Sequence, residues 1–276
     1  MRITFILFLS LLLSFYSCKE SSSNSEPDTI EGLVWSDEFD GDDWDRNEWV
    51  PELGATGWGN QELQNYTASD DNIEVSDGTL KIIARKIDEG QNRGDYTSAR
   101  LTTKRTFGPG TRIEIRAKMP AQVGNGLWPA IWMLGDGIRQ GQSWPDSGEI
   151  DIMEYVSYRP NTFYCTIHSN ANNHIDGTQI GSGDINLPNI EEEFNTFGIV
   201  WEEEYIQFFV NEVTNAVFRV NRPENPTLDN WPFSEQHFLL LNMAVGGSWG
   251  GAQGLDDNNF PATFEIDYVR VYALED

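Results

Sequence analysis

Thr111-Arg112-Ile113-Glu114-Ile115-Arg116-Ala117-Lys118 alternates without a break, with Ile113, Ile115 and Ala117 on one side and charges on the other. A period of two sends successive side chains to opposite faces of a strand, so the segment reads as a half-buried β-strand. Outward from it, β-rich runs occupy residues 80–86, 97–103, 163–169, 196–201, 205–211, 213–220, 237–245 and 264–272. Turn signals punctuate them: Asp77-Gly78, Gly108-Pro109-Gly110, Gly124-Asn125-Gly126, Asp176-Gly177 and Arg222-Pro223. The pattern predicts no amphipathic helix longer than two turns, only a short turn over 187–193. Many strands without a βαβ rhythm predict an all-β fold, an antiparallel sandwich or jelly roll.

The N-terminus reads differently. Met1-Arg2 gives a positive start, residues 3–13 are almost wholly apolar, and Ser17-Cys18 follows closely. The run is too short to span a bilayer and has the form of a secretory signal. A cysteine at that place predicts a lipoprotein signal over residues 1–17 with Cys18 lipidated; an ordinary signal peptide is the alternative. Residues 18–30 are polar and Ser-rich and predict a flexible tether. Residues 31–276 then form one domain, with no second linker and no internal repeat. The expectation is an exported bacterial lipoprotein at the outer membrane or cell surface, touching membrane only through its lipid anchor, and monomeric.

With Cys18 lipidated, Cys165 has no disulfide partner and reads as a small core residue. Two cysteines cannot make a cysteine-based metal site, and His168, His174 and His237 are too few for a three-histidine zinc site or a histidine-based triad to be favoured. The net charge of −26 disfavours nucleic acid and anionic polymers, which need a positive footprint. A neutral substrate is permitted.

Gly148-Glu149-Ile150-Asp151-Ile152-Met153-Glu154-Tyr155 carries the chemistry. On a regular strand Glu149 and Asp151 share a face, but Glu154, five residues on, falls on the other. One extra residue around Ile152-Met153, a β-bulge, returns Glu154 to the acidic face. Three carboxyls on one strand are costly unless used. A retaining glycosidase needs two carboxyls about 5–5.5 Å apart, and crowded like charges raise at least one pKa so that one acid keeps its proton. Trp58, Trp128, Trp132 and Trp249 sit beside glycines, prolines and polar groups, where a flat indole can face a sugar ring.

This chain resembles glycoside hydrolase family 16, in its bacterial laminarinase (endo-β-1,3-glucanase) branch. The resemblance rests on residues 33–41, 58–67 (Trp58-Gly59-Asn60-Gln61-Glu62-Leu63-Gln64-Asn65-Tyr66-Thr67), 97–101, 128–134, 148–155, 241–251 and 261–272. It implies a β-jelly roll sandwich of two curved antiparallel sheets, the concave one forming a cleft for a neutral β-glucan. It further implies Glu149 as nucleophile, Glu154 as acid/base and Asp151 as the residue that tunes them, with Met153 marking the bulged form of the motif. His168 matches a family histidine near the acid/base. Trp128 and Trp132 resemble indoles flooring the non-reducing side of the cut, Asn60 and Arg100 match polar sugar contacts, and Trp249 matches a further platform. A structural calcium ion is implied at the backbone oxygens of Glu38 and Gly78 and at Asp267, with no cofactor for catalysis.

Rival readings remain at this point. A non-catalytic glucan-binding protein on the same scaffold is expected to lack the two glutamates, and both are present. A hydrolase for agarose, carrageenan or mixed-linkage β-1,3/1,4-glucan, or a transglycosylase, differs by its products.

Overall fold

The computed structural model describes residues 31–275. The expected signal peptide, Cys18 and the expected tether lie outside the described residues. Strands are numbered in chain order. In the first sheet the order is β16 (Ala216–Asn221), β15 (Tyr205–Val210), β14 (Asn195–Glu202), β8 (Thr111–Lys118), β18 (Ala262–Ala273), β5 (Thr79–Lys86), β6 (Tyr96–Ser98) and β3 (Gln64–Tyr66). On its margins β1 (Leu33–Asp37) pairs with β18 and β4 (Ile73–Ser76) with β5. The second sheet runs β12 (Ile180–Gly181), β11 (Thr162–His168), β10 (Glu149–Tyr155), β9 (Leu127–Gly135), β17 (His237–Val245), β7 (Arg100–Thr103) and β2 (Trp49–Pro51). β13 (Ile185–Asn186) also pairs with β11. This is the expected jelly-roll sandwich. Every pairing is antiparallel except β3 with β6, a short parallel contact that alternation alone does not reveal.

The core lies between the sheets. Ile113, Ile115 and Ala117 of β8 are fully buried and join Leu80, Ile82, Phe197, Ile199, Val269 and Val271 from neighbouring strands. From the second sheet, Ile131 and Met133 of β9, Ile150 and Ile152 of β10 and Leu239, Leu241 and Met243 of β17 fill the same layer. At about 25 cal/mol per Å² of apolar surface, each such side chain contributes about 1.5–3 kcal/mol, and their burial does most to hold the sheets together. Because the inner face is fixed this firmly, the alternate residues of β9, β10 and β17 must face outward, into the cleft.

Two strand boundaries depart from the sequence reading, and one strand was not predicted by it. The run 97–103 breaks at Ala99 into β6 and β7, which belong to different sheets. Residues 213–215 form the turn before β16. The segment 187–193 makes turns as expected, its Glu192 and Glu193 amides donating to the Asn189 carbonyl. β9 is a central strand that the strand pattern did not predict. It contains Pro129, which has no N–H to give to a ladder; pairing with β10 stops at Ala130, one residue short of the proline.

Candidate active site

The cleft is a row of outward residues read straight across the second sheet. Arg100 pairs with Asn242, Asn242 with Ala130, Ala130 with Glu154 and Glu154 with Tyr164. One step along, Thr102, Leu240, Trp132, Asp151 and Thr166 form the next row. Ala130, small and flat, leaves space between Asn242 and Glu154. The bulge stands where the spacing put it: β10 shifts register between Asp151 and Glu154, while Ile152 and Met153 both turn into the core at 1% and 0% exposure. Glu149, Asp151 and Glu154 consequently line one cleft. Cys165 stands opposite the extra residue, and its buried thiol donates to the Ile152 carbonyl at 3.3 Å.

The approach to Glu149 requires a glycine. Gly148 has φ +79°, and a Cβ there would lie 2.7 Å from Pro232 Cγ and 3.0 Å from His237 Nε2. Any other residue is strained by its backbone and blocked by its neighbours.

Each glutamate receives one indole N–H. Trp144 Nε1 donates to Glu149 Oε2 at 2.9 Å, and Trp128 Nε1 donates to Glu154 Oε1 at 3.2 Å. His168 Nε2 lies 3.3 Å from Asp151 Oδ2 and 3.7 Å from Glu149 Oε1. It therefore flanks Asp151 and Glu149, and the expected placement beside Glu154 is corrected, because His168 is the direct cross-strand partner of Glu149.

Burial sets the electrostatics. It lifts the Glu149 carboxyl to about 8, with the Asp151 charge adding to the rise and His168, the Trp144 N–H and Arg100 opposing it. Burial also raises Asp151, against a hydrogen bond with Glu149. Glu154 is raised well above the carboxylate range, by burial first and then by the charges of Asp151 and Glu149; only the Trp128 N–H opposes. Three groups thus favour the ionised form of Glu149 and one that of Glu154, the kind of asymmetry that nucleophile and acid require. Burial lowers His168 toward the neutral form. Glu149, Asp151 and His168 could together offer three ligand atoms within 4.8 Å.

The remaining candidates fall into two half-clefts of about 340 and 530 Å³ that meet at Asn60, Trp128, Glu149, Glu154 and His174. Trp58, Arg100 and Trp132 line the first half and Trp249 the second. The Arg100 guanidinium is sandwiched 4.8 Å from the Trp58 ring and 4.6 Å from Trp132, and is ion-paired with Glu52. Trp249 meets Trp128 edge-on at 5.4 Å. Behind the first half, Trp132 Nε1 donates to Asn242 Oδ1 (2.6 Å), Asn242 Nδ2 to Tyr66 Oη (3.0 Å) and Tyr66 to buried Glu62 (3.3 Å). Sequence reading missed Trp144, Asn242 and His174 as site residues. Trp144 offered a signal, an indole beside Pro145 five residues ahead of Glu149; His174 was weighed only as a zinc ligand or a member of a triad.

The three calcium candidates lie elsewhere, at a seam in the first sheet. Along one edge of β18, pairing with β5 ends at Ile266 and pairing with β1 begins at Val269. Asp267 falls in that gap, in a register shift against β8. Glu38 follows the last residue of β1, and Gly78 sits in the turn that opens β5. The Glu38 carboxylate is occupied by Arg270 and Asp267 Oδ2 by Arg116. The carbonyls of Glu38 and Gly78 accept no hydrogen bond from the described residues, and Asp267 keeps its other carboxylate oxygen. These hard oxygen donors fit Ca²⁺.

The family description "Beta-porphyranase A-D, GH16 domain" matches residues 33–274. A β-glucanase of Rhodothermus marinus is 46% identical over 249 residues, spanning 87% of this chain and 84% of that protein. The solved laminarinase of Rhodothermus marinus is 44% identical with a TM-score of 0.81, covering 88% of this chain and 98% of its own. The laminarinase catalytic domain of Thermotoga maritima MSB8 is 40% identical with a TM-score of 0.77, covering 88% and 98%. On the strength of the match across residues 33–274 and of these relatives, the chain belongs to glycoside hydrolase family 16.

Proposed function

We propose that this chain is a retaining endo-glycosidase that hydrolyses β-1,3-glucan of the laminarin type. The observation that carries the reading is the bulged strand, which sets the two glutamates on one wall of an open cleft. Glu149 attacks the anomeric carbon while Glu154 gives its proton to the departing glycosidic oxygen, leaving a glycosyl ester on Glu149. Glu154, now ionised, takes a proton from water. The water oxygen attacks the same carbon, the ester bond breaks, and Glu149 returns as carboxylate. Asp151 and His168 flank Glu149 and keep its carboxyl oriented. Trp128 and Trp132 floor the non-reducing side, with Asn60 and Arg100 as polar contacts; Trp249 serves the leaving side.

Charge supports a neutral polymer. Arg100 is the only Lys or Arg among the described residues lining either half-cleft, and Glu52 already neutralises it. Sulfated galactan therefore finds no free cation here. The β-1,3 linkage is supported by the relatives named as laminarinases. Incubating the domain with laminarin, lichenan, agarose and carrageenan, with products identified by mass and the first-formed anomer by NMR, tests the reading. Laminarin oligosaccharides of retained configuration are expected from wild type and none from Glu149→Ser. Agarose or carrageenan products alone, or an inverted anomer, refute it.

Two proposals accompany this reading. Calcium, held by the Glu38 and Gly78 carbonyls and Asp267, ties β1, β5 and β18 together and supplies stability. The full chain is exported as a monomeric lipoprotein anchored at Cys18; labelling with an alkynyl fatty acid is expected for wild type and absent for Cys18→Ser.

A further inference from the structure

We propose that His174 is a substrate-binding residue whose ring nitrogen hydrogen-bonds a hydroxyl of the sugar unit seated at Glu149, on the non-reducing side of the cut. The proposal rests on the glycosidase reading above. His174 lies in the loop between β11 and β12 and borders both half-clefts at their junction, beside Glu149 and Glu154. The bond to be cut lies at that junction. Its ring packs on Trp144 with centroids 4.8 Å apart and meets His168 edge-on at 5.2 Å. Trp144 is the indole that donates to Glu149. His174 is thereby set over the arm that holds the attacking carboxylate.

Its polar atoms are free for a ligand. Neither ring nitrogen hydrogen-bonds any described residue, and the side chain is exposed to the cleft. Partial burial and neighbouring His168 lower its pKa, so near neutral pH the ring offers one donor and one acceptor, a pair suited to a sugar hydroxyl. The loop that carries it is built to hold position. Asn173, 3% exposed, accepts from the amides of Ile175 (3.1 Å) and Asp176 (3.2 Å) and donates to the carbonyls of Ser169 (3.4 Å) and Asn170 (3.2 Å). A loop ordered in advance loses little entropy when substrate binds. The side of the cut follows from the neighbours, since Trp144 and the adjacent Ile175 line only the half-cleft that contains Trp132.

His174→Phe keeps the ring stack on Trp144 and removes the nitrogens, whereas His174→Asn loses the stack and keeps a donor and an acceptor. Both are compared with wild type on laminarin and on a laminaribiosyl fluoride, whose small leaving group leaves the reducing-side half-cleft empty. Wild-type turnover of the two substrates reports on the glycosidase reading separately. The expected result is an unchanged melting temperature for His174→Phe and a tenfold to hundredfold fall in kcat/KM on both substrates, mostly in kcat. His174→Asn recovers part of the loss on both. A loss on laminarin alone places the contact on the leaving sugar and overturns the proposal. Unchanged kcat/KM on both substrates overturns it as well.

Discussion

Glutamine at position 149 keeps the shape of the side chain and removes the charge that the site resists. The Glu149 carboxyl rises from 4.5 to about 8 through burial and the Asp151 charge. At about 1.4 kcal/mol per unit, the ionised form at high pH costs the fold at most about 5 kcal/mol. The real gain from Glu149→Gln is smaller, because Asp151 and Glu154 ionise more readily once their neighbour is neutral; roughly 1–3 kcal/mol is expected. At about 2–4 °C per kcal/mol for a domain of this size, the melting temperature rises by about 3–10 °C. The sign depends on pH. Below 4.5 Glu149 is protonated in both folded and unfolded chains, and the glutamine has nothing to relieve. As pH climbs from 4.5 toward 8 the unfolded chain has released the proton while the folded one retains it, so wild-type stability falls and the variant pulls ahead. Calorimetric melts at pH 4, 6 and 8 measure this, and the gap should widen at each step while laminarin hydrolysis drops at least about a thousandfold. A gap that is flat from pH 4 to 8, or a variant less stable than wild type at pH 8, refutes the electrostatic account of the site.

Four other outcomes follow from the same structure. Deleting Met153 restores strict alternation and leaves all three carboxyls facing the cleft, so reduced but measurable hydrolysis persists, with about 2–5 kcal/mol lost from the missing buried side chain in denaturant titrations. Inserting a second residue beside Met153 makes the spacing of the two glutamates even, so regular alternation keeps the later one on the cleft face but carries it about 6–7 Å farther along the strand, and activity is abolished. Trp144→Phe removes the N–H that lowers the Glu149 pKa, so the acidic limb of the kcat/KM profile moves to higher pH and kcat falls about tenfold. Adding Ca²⁺ after chelation raises the melting temperature of wild type but not of Asp267→Asn, with activity at low temperature unchanged; equal stabilisation of both removes Asp267 from the site.

The strands that alternate were legible because one face of each is buried and the other is not. β8 shows this in its purest form. β9 was hidden for the opposite reason: it is mostly buried on both faces and interrupted by Pro129, so it shows neither the period nor the composition of a typical strand. The bulge could be inferred because Glu149 and Glu154 differ by an odd number of residues, a conflict that only an extra residue resolves. The loops gave less. Trp144 and His174 reach the cleft from segments that lie before and after β10, and nothing local in either segment encodes the distance they close. His168 could be assigned to the cleft face by alternation from Thr166, but its nearest carboxyl depended on the β10–β11 register, a long-range property.

The thiol beneath the bulge gives the domain an internal clock. Cys165 is the only cysteine among the described residues and is 1% exposed, so a thiol-reactive dye can reach it only when β10 and β11 part. The labelling rate therefore counts how often that strand pair opens, in a region where fluorescence from ten tryptophans would blur the signal. Oligosaccharide seated in the cleft should slow that clock in proportion to its occupancy, reading out binding without any turnover.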